Sequence, residues 1–106
     1  MNNQNLQIEV RALDVEIDGA EAEYVRTHLA RSLRQFQSHL RGVIVRLTDL
    51  NGPRGGDCDI ECRVVVDGNF PTVIVSARAA SGAAAIDVAA ERVSNAVARA
   101  IGSMRT

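Results

Sequence analysis

Lysine and tryptophan are absent from this 106-residue chain, and it holds only one tyrosine, two phenylalanines, two prolines and two cysteines. So few rings exclude a module that stacks successive unpaired bases on an aromatic sheet, because such sheets need several exposed rings. Two cysteines are too few for a disulfide scaffold. Cys58 and Cys62 fall in a segment that alternates like a strand, roughly 13 Å apart on one face at ~3.3 Å per residue, beyond disulfide reach. Both are expected to be reduced, buried, small apolar residues. No uninterrupted apolar run approaches the ~20 residues of a membrane span. Met1-Asn2-Asn3-Gln4-Asn5 has neither the basic nor the apolar part of a secretory signal, so a cytoplasmic protein with no membrane partner is expected.

What is present is an ordinary globular mixture, 46% apolar and 24% charged, in a length that suits one domain over residues 1–106. Twelve arginines against thirteen acids give a formal net charge of −1, so the total exerts no pull toward nucleic acid or membrane. The distribution is uneven. Residues 1–23 hold six acids and one arginine, residues 24–54 six arginines and one acid, residues 55–67 four acids and one arginine, and the remainder four arginines and two acids.

Leu6, Ile8 and Val10 alternate with polar residues as in a half-buried strand, and Leu13, Val15 and Ile17 shift the phase, which places a bulge or loop between. Asp18 followed by Glu21 reads as a helix start, cap and first-turn acid together. Ala22, Val25, Leu29, Leu33, Phe36 and Leu40 then form one stripe of a helix running to about Arg41, with Gly42 as its terminator. Val43, Val45 and Leu47 predict a second strand; Cys58, Ile60, Cys62, Val64 and Val66 a third; and Phe70 to about Ala79 a fourth. From Ser81, read as its cap, the stripe Ile86, Ala90, Val93, Val97, Ile101 and Met104 predicts a last helix. The expected fold is α+β, in the order β-α-β-β-β-α: a four-stranded sheet with both helices on one face. The other face, with Arg46, Thr48, Asp59, Glu61, Arg63, Ser76 and Arg78, is expected to be wet.

Chemistry is sparse. His28 and His39 lie eleven residues apart, about 16 Å along one helix, too far to share a metal or a proton. The stretch Asp49–Asp59 fails the calcium-loop pattern where Pro53, Arg54 and Ile60 fall, and Gly52–Asp57 lacks the ending of a phosphate-binding loop. Asp57, Asp59 and Glu61 on one strand face suit a solvated acidic edge. No enzyme, metal or cofactor is expected. Arg31 and Arg34, with Arg41, fall on the far side of the first helix from its stripe, Arg26 lies on the edge of that stripe, and Arg92 and Arg99 share a flank of the last helix. Side by side, the helices would present these guanidinium groups to the phosphates of a folded RNA.

The element order, with Val45-Arg46-Leu47-Thr48-Asp49-Leu50-Asn51-Gly52-Pro53-Arg54-Gly55-Gly56-Asp57 and then Cys62-Arg63-Val64, resembles the ribosome hibernation-promoting factor family. That family includes ribosome-associated inhibitor A and is also known as the sigma modulation proteins. The likeness spans nearly the whole chain and is sharpest at Asp49, Asn51, Gly52, Pro53, Gly55, Gly56 and Asp57, a turn motif. It implies binding to the small ribosomal subunit, through ribosomal RNA and not DNA, and silencing of translation in stress or stationary phase. By position, Arg31, Arg34 and Arg41 correspond to the family's basic residues on the first helix, and Arg92, Arg99 and Arg105 to those on the second. The last helix ends Ala98-Arg99-Ala100-Ile101-Gly102-Ser103-Met104-Arg105-Thr106, where the family has a Lys/Arg-rich stretch, so fewer phosphate contacts and a weaker affinity, or none, are expected. The extra C-terminal domain by which long members pair ribosomes is not expected. The alternative is a module that kept the fold and lost the ribosome, using its sheet face or a strand edge for a protein partner or for weak self-association.

Overall fold

Asp18 opens the first helix as its side chain predicts, its Oδ1 accepting the Glu21 N–H at 2.7 Å. The computed structural model describes residues 7–13, 15–50 and 59–104. Within them the chain runs β1 (Ile8–Leu13), α1 (Gly19–Leu33), a 3₁₀ segment (Arg34–His39), β2 (Leu40–Asp49), β3 (Ile60–Gly68), β4 (Val73–Ala79) and α2 (Gly82–Met104). The strands lie in the order β1-β2-β3-β4. β1 is parallel to β2, which needs the α1 crossover, and the other two pairings are antiparallel.

Period-2 alternation sends Val43, Val45 and Leu47 of β2 and Ile60, Cys62, Val64 and Val66 of β3 to one side. There they meet Val25, Leu29 and Leu33 of α1 and the α2 stripe Ile86, Ala90, Val93, Val97 and Ile101 in one cluster. Each fully buried Leu, Ile or Val contributes roughly 1.5–3 kcal/mol through removal from water, and no polar or charged residue among those described is buried with them. Ala85 and Ala89 are fully buried as well, so α2 sits close over β3 and β4. Ser81 caps it, its hydroxyl accepting the Ala84 N–H at 3.1 Å.

The first helix is shorter than its periodicity suggests. It tightens to 3₁₀ geometry at Arg34, and Leu40 is already extended, at φ −98° and ψ 145°. Leu40 pairs with Gly68, and the Asn69 N–H donates to the His39 carbonyl at 3.0 Å. Hydrogen bonds to a strand distant in sequence thus end the helix, with no local breaker needed. Arg41 and Gly42 consequently belong to β2, and Gly42 marks a register shift instead of capping a helix.

Three smaller differences stand beside it. β1 continues to Leu13, whose side chain is 54% exposed. Phe70 precedes β4 and plugs the turn from a buried position, and Met104 at the end of the α2 stripe is exposed. The expected wet face holds at Arg46, Arg63 and Arg78, while Thr48, Asp59, Glu61 and Ser76 are half-buried. Leu6 and Cys58 lie outside the described residues.

Candidate nucleic-acid interface

Arg26, Arg31 and Arg34 are exposed, the first two on α1 and the third opening the 3₁₀ segment. Arg26 is engaged by Glu23, one turn earlier, at 3.3 Å. Arg31 and Arg34 make no hydrogen bond or ion pair among the described residues. Arg41, on β2, lines an open groove of about 420 Å³ with Gln7, Glu9, Gly42 and Asp67, at the sheet end of the molecule. It therefore belongs to a strand and not to the helix on which the sequence placed it.

On α2, Arg92 bonds to the carbonyl oxygen of Ser76 on β4 at 2.7 Å. Arg99, seven residues later, shares that flank at 3.6 residues per turn and is exposed without a partner among the described residues. The opposite flank of α2 faces α1 through Asp87, whose Oδ1 accepts the Tyr24 hydroxyl at 2.6 Å. The helices thus meet through Asp87, while Arg92 and Arg99 point toward the β4 edge. Arg31, a heptad from Tyr24, sits on the outer surface of the helix layer. The structure does not gather the described arginines of this group into one patch: Arg26, Arg31, Arg34, Arg92 and Arg99 spread over the helix layer and its β4 margin, and Arg41 stands on β2.

Asp49, the first residue of the turn motif, ends β2 and is half-buried, paired in register with Ile60. The Leu50 N–H donates to the Asp59 carbonyl at 2.9 Å, closing the base of the connection. Asn51, Gly52, Pro53, Gly55, Gly56 and Asp57, together with Arg105, lie outside the described residues.

Sequence reasoning left His28 as a solvated residue and Tyr24 without a role. Their rings stack at 5.6 Å with an interplanar angle of 24°, and His28 Nε2 lies 3.7 Å from Asp87 Oδ1. The Tyr24 phenol is held above its ordinary value near 10.0, chiefly by its hydrogen bond to Asp87, then by burial and by the carboxylate charge. The spacing of Tyr24 and His28, one helical turn apart, was visible; Asp87, 63 residues away, became a partner only through the helix pairing. Among the described residues, no three of His, Cys, Asp and Glu gather to hold a metal ion, and no helix is long and apolar enough to cross a membrane.

A four-stranded mixed sheet with two helices on one face, in the order β-α-β-β-β-α, defines an α+β class shared with other proteins of known structure. One is the N-terminal domain of Protein Y from Thermus thermophilus, 27% identical, with a TM-score of 0.71 over 91% of this chain and 98% of that one. Another is a ribosomal subunit interface protein from Coxiella burnetii, 12% identical, with a TM-score of 0.74 over 89% and 96% of the two chains; at that identity the likeness is one of fold. No family model matches the chain, and no curated protein matches it in sequence.

Proposed function

We propose that this chain is a non-enzymatic, ribosome-associated factor that binds the small subunit through ribosomal RNA and thereby restrains translation. The observation that carries the reading is the 27% identity to the Protein Y domain, sustained over 91% of the chain at a TM-score of 0.71. The exposed Arg31, Arg34 and Arg99, which have no partner among the described residues, supply the phosphate contacts, since a guanidinium fork matches a phosphate in two parallel hydrogen bonds. Arg26 and Arg92 contribute less, because each already has a partner within the protein. With so few cations, binding is modest in strength, and its salt dependence scales with the small number of phosphates contacted.

Co-sedimentation with purified small subunits, at low and near-physiological salt, tests this. The unaltered chain is expected to bind stoichiometrically at low salt, and Arg31→Glu with Arg34→Glu to abolish binding while the fold persists. Absence of binding by the unaltered chain at low salt would overturn the reading and leave a fold that serves another partner.

A further inference from the structure

The open face of the sheet carries a feature that the helix-side reading does not use. Cross-strand register sets Arg11 beside Arg46, Arg46 beside Arg63, and Arg63 beside Ser76. Three guanidinium groups therefore share one row across β1, β2 and β3, at a strand spacing of about 4.7–4.9 Å, and all three residues are exposed. Like charges directly opposite one another destabilise a sheet, so such a row calls for neutralisation. The protein supplies it only in part. Glu9 holds Arg11 at 2.8 Å, and Asp59 is taken by Arg78 at 3.4 Å. Arg46 and Arg63 make no hydrogen bond or ion pair among the described residues.

We propose that this row is a second phosphate-contacting surface, so that RNA holds the chain on its sheet face as well as on its helix face; the proposal rests on the ribosomal RNA reading above. The molecule is a slab, 17 Å in its thinnest extent, with arginines that lack a partner among the described residues on both broad sides. A single class of ligand accounts for both sets. The neighbouring rows fix how the backbone lies. Leu13, Thr48, Glu61 and Arg78 form the row on one side, and Glu9, Ile44, Val65 and Ile74 the row on the other. A phosphate chain running along β3 would pass from Arg63 directly to Glu61. Running across the strands instead, it meets Arg11, Arg46, Arg63 and then the Ser76 hydroxyl, with the aliphatic row, where Ile74 is 60% exposed, beside its sugars. A nucleic-acid strand delivers successive anions along such a line without needing particular side chains, which favours it over an acidic protein segment.

The test is a salt titration of binding to purified small subunits, comparing the unaltered chain with two double variants, Arg46→Gln/Arg63→Gln and Arg31→Gln/Arg34→Gln. All four positions are exposed, and thermal unfolding followed by circular dichroism checks that both variants remain folded. Each lost phosphate contact flattens the dependence of log K on log salt by about 0.7–0.9, so the sheet-face variant is expected to show a slope shallower by about 1.5. A sheet-face variant with the unaltered slope, alongside a flattened slope for the helix variant, would overturn the proposal and leave the ribosomal reading standing. A sheet-face variant that keeps its RNA slope but loses binding to a polyglutamate peptide would assign the row to an acidic protein and also overturn it. No binding by the unaltered chain would remove both readings together.

Discussion

Arg92 of α2 donates from Nη1 to the carbonyl oxygen of Ser76 on β4 at 2.7 Å, tying the last helix to the margin of the sheet that it covers. Among the described residues β4 pairs only with β3, so its outer side is a strand edge of the kind that invites another strand to add. A charged donor on one of its carbonyls both anchors the helix and removes an acceptor from any added strand. Arg92→Ala is expected to destabilise the fold by about 1 kcal/mol, as for loss of a hydrogen bond, and to promote self-association through β4. Arg99→Ala, on the same flank without such a bond, is expected to stay within about 0.5 kcal/mol of the unaltered chain. Urea unfolding measures the first effect and sedimentation velocity the second; equal unfolding midpoints for the two variants would remove the anchoring role.

Gly68 and Gly102 predict opposite outcomes for the same substitution. A β-carbon at Gly68 would collide with the His39 carbonyl oxygen and the ring of Phe70, whereas at Gly102 it meets nothing within 4 Å. Gly68 is where β2 and β3 close around the 3₁₀ segment, and its neighbours there are backbone and a buried ring, neither of which yields easily. Gly68→Ala is therefore expected to cost about 1–3 kcal/mol, as overpacking does. Gly102→Ala, inside α2, is expected to add about 0.5–1 kcal/mol through helix propensity and reduced freedom of the unfolded chain. Thermal melts of the two variants should move in opposite directions.

These contrasts show what was legible in the sequence. Strand alternation at Ile60–Val66, the stripe Val25, Leu29 and Leu33, and the caps Asp18 and Ser81 are local patterns, and the structure realises them at those residues. The end of α1 was not legible. Phe36 and Leu40 keep helical spacing, and only the pairing of Leu40 with Gly68 draws the chain into a strand. That one tertiary contact moves Arg41 from the helix group to the sheet. The arginine row has the same character: Arg11, Arg46 and Arg63 are far apart in sequence, and their adjacency depends on a register that no single segment contains. The tie between Tyr24 and Asp87 likewise needs both helices in place.

Cys62 lies fully buried in the core, and burial, with a smaller contribution from the charge of Glu61, pushes its thiol up to about 12 from an ordinary 9.0. A raised value in the folded state means that folding favours the protonated thiol. Its contribution to stability is complete below about pH 9, where the unfolded thiol is also protonated, and is lost as pH rises toward about 12. Because the thiolate is the reactive form, Cys62 is expected to resist a thiol reagent at neutral pH in the native protein and to react once the chain unfolds. A Cys58→Ser background isolates Cys62, since these are the chain's two cysteines. Fast labelling of the native variant at pH 8 would show that the core opens around Cys62.

Tyr24 is the chain's one tyrosine, and tryptophan is absent, so ultraviolet titration of the phenol reports on the helix interface alone. Its hydroxyl donates to Asp87, which only the protonated phenol can do, and the value is raised for that reason first. The folded protein is therefore more stable relative to the unfolded chain below about pH 10, and this advantage declines as pH climbs through the higher folded value. The titration midpoint of the native protein is expected to lie above that of the chain in denaturant. Asp87→Asn removes the charge and the strong acceptor, and is expected to bring the two midpoints together. Tyr24→Phe is expected to lower the melting temperature at neutral pH and to abolish the alkaline loss due to this group. If the native and denatured midpoints of the unaltered chain coincide, the bond between Tyr24 and Asp87 does not hold the helices together in solution, and α1 must be held on the sheet by its buried stripe alone.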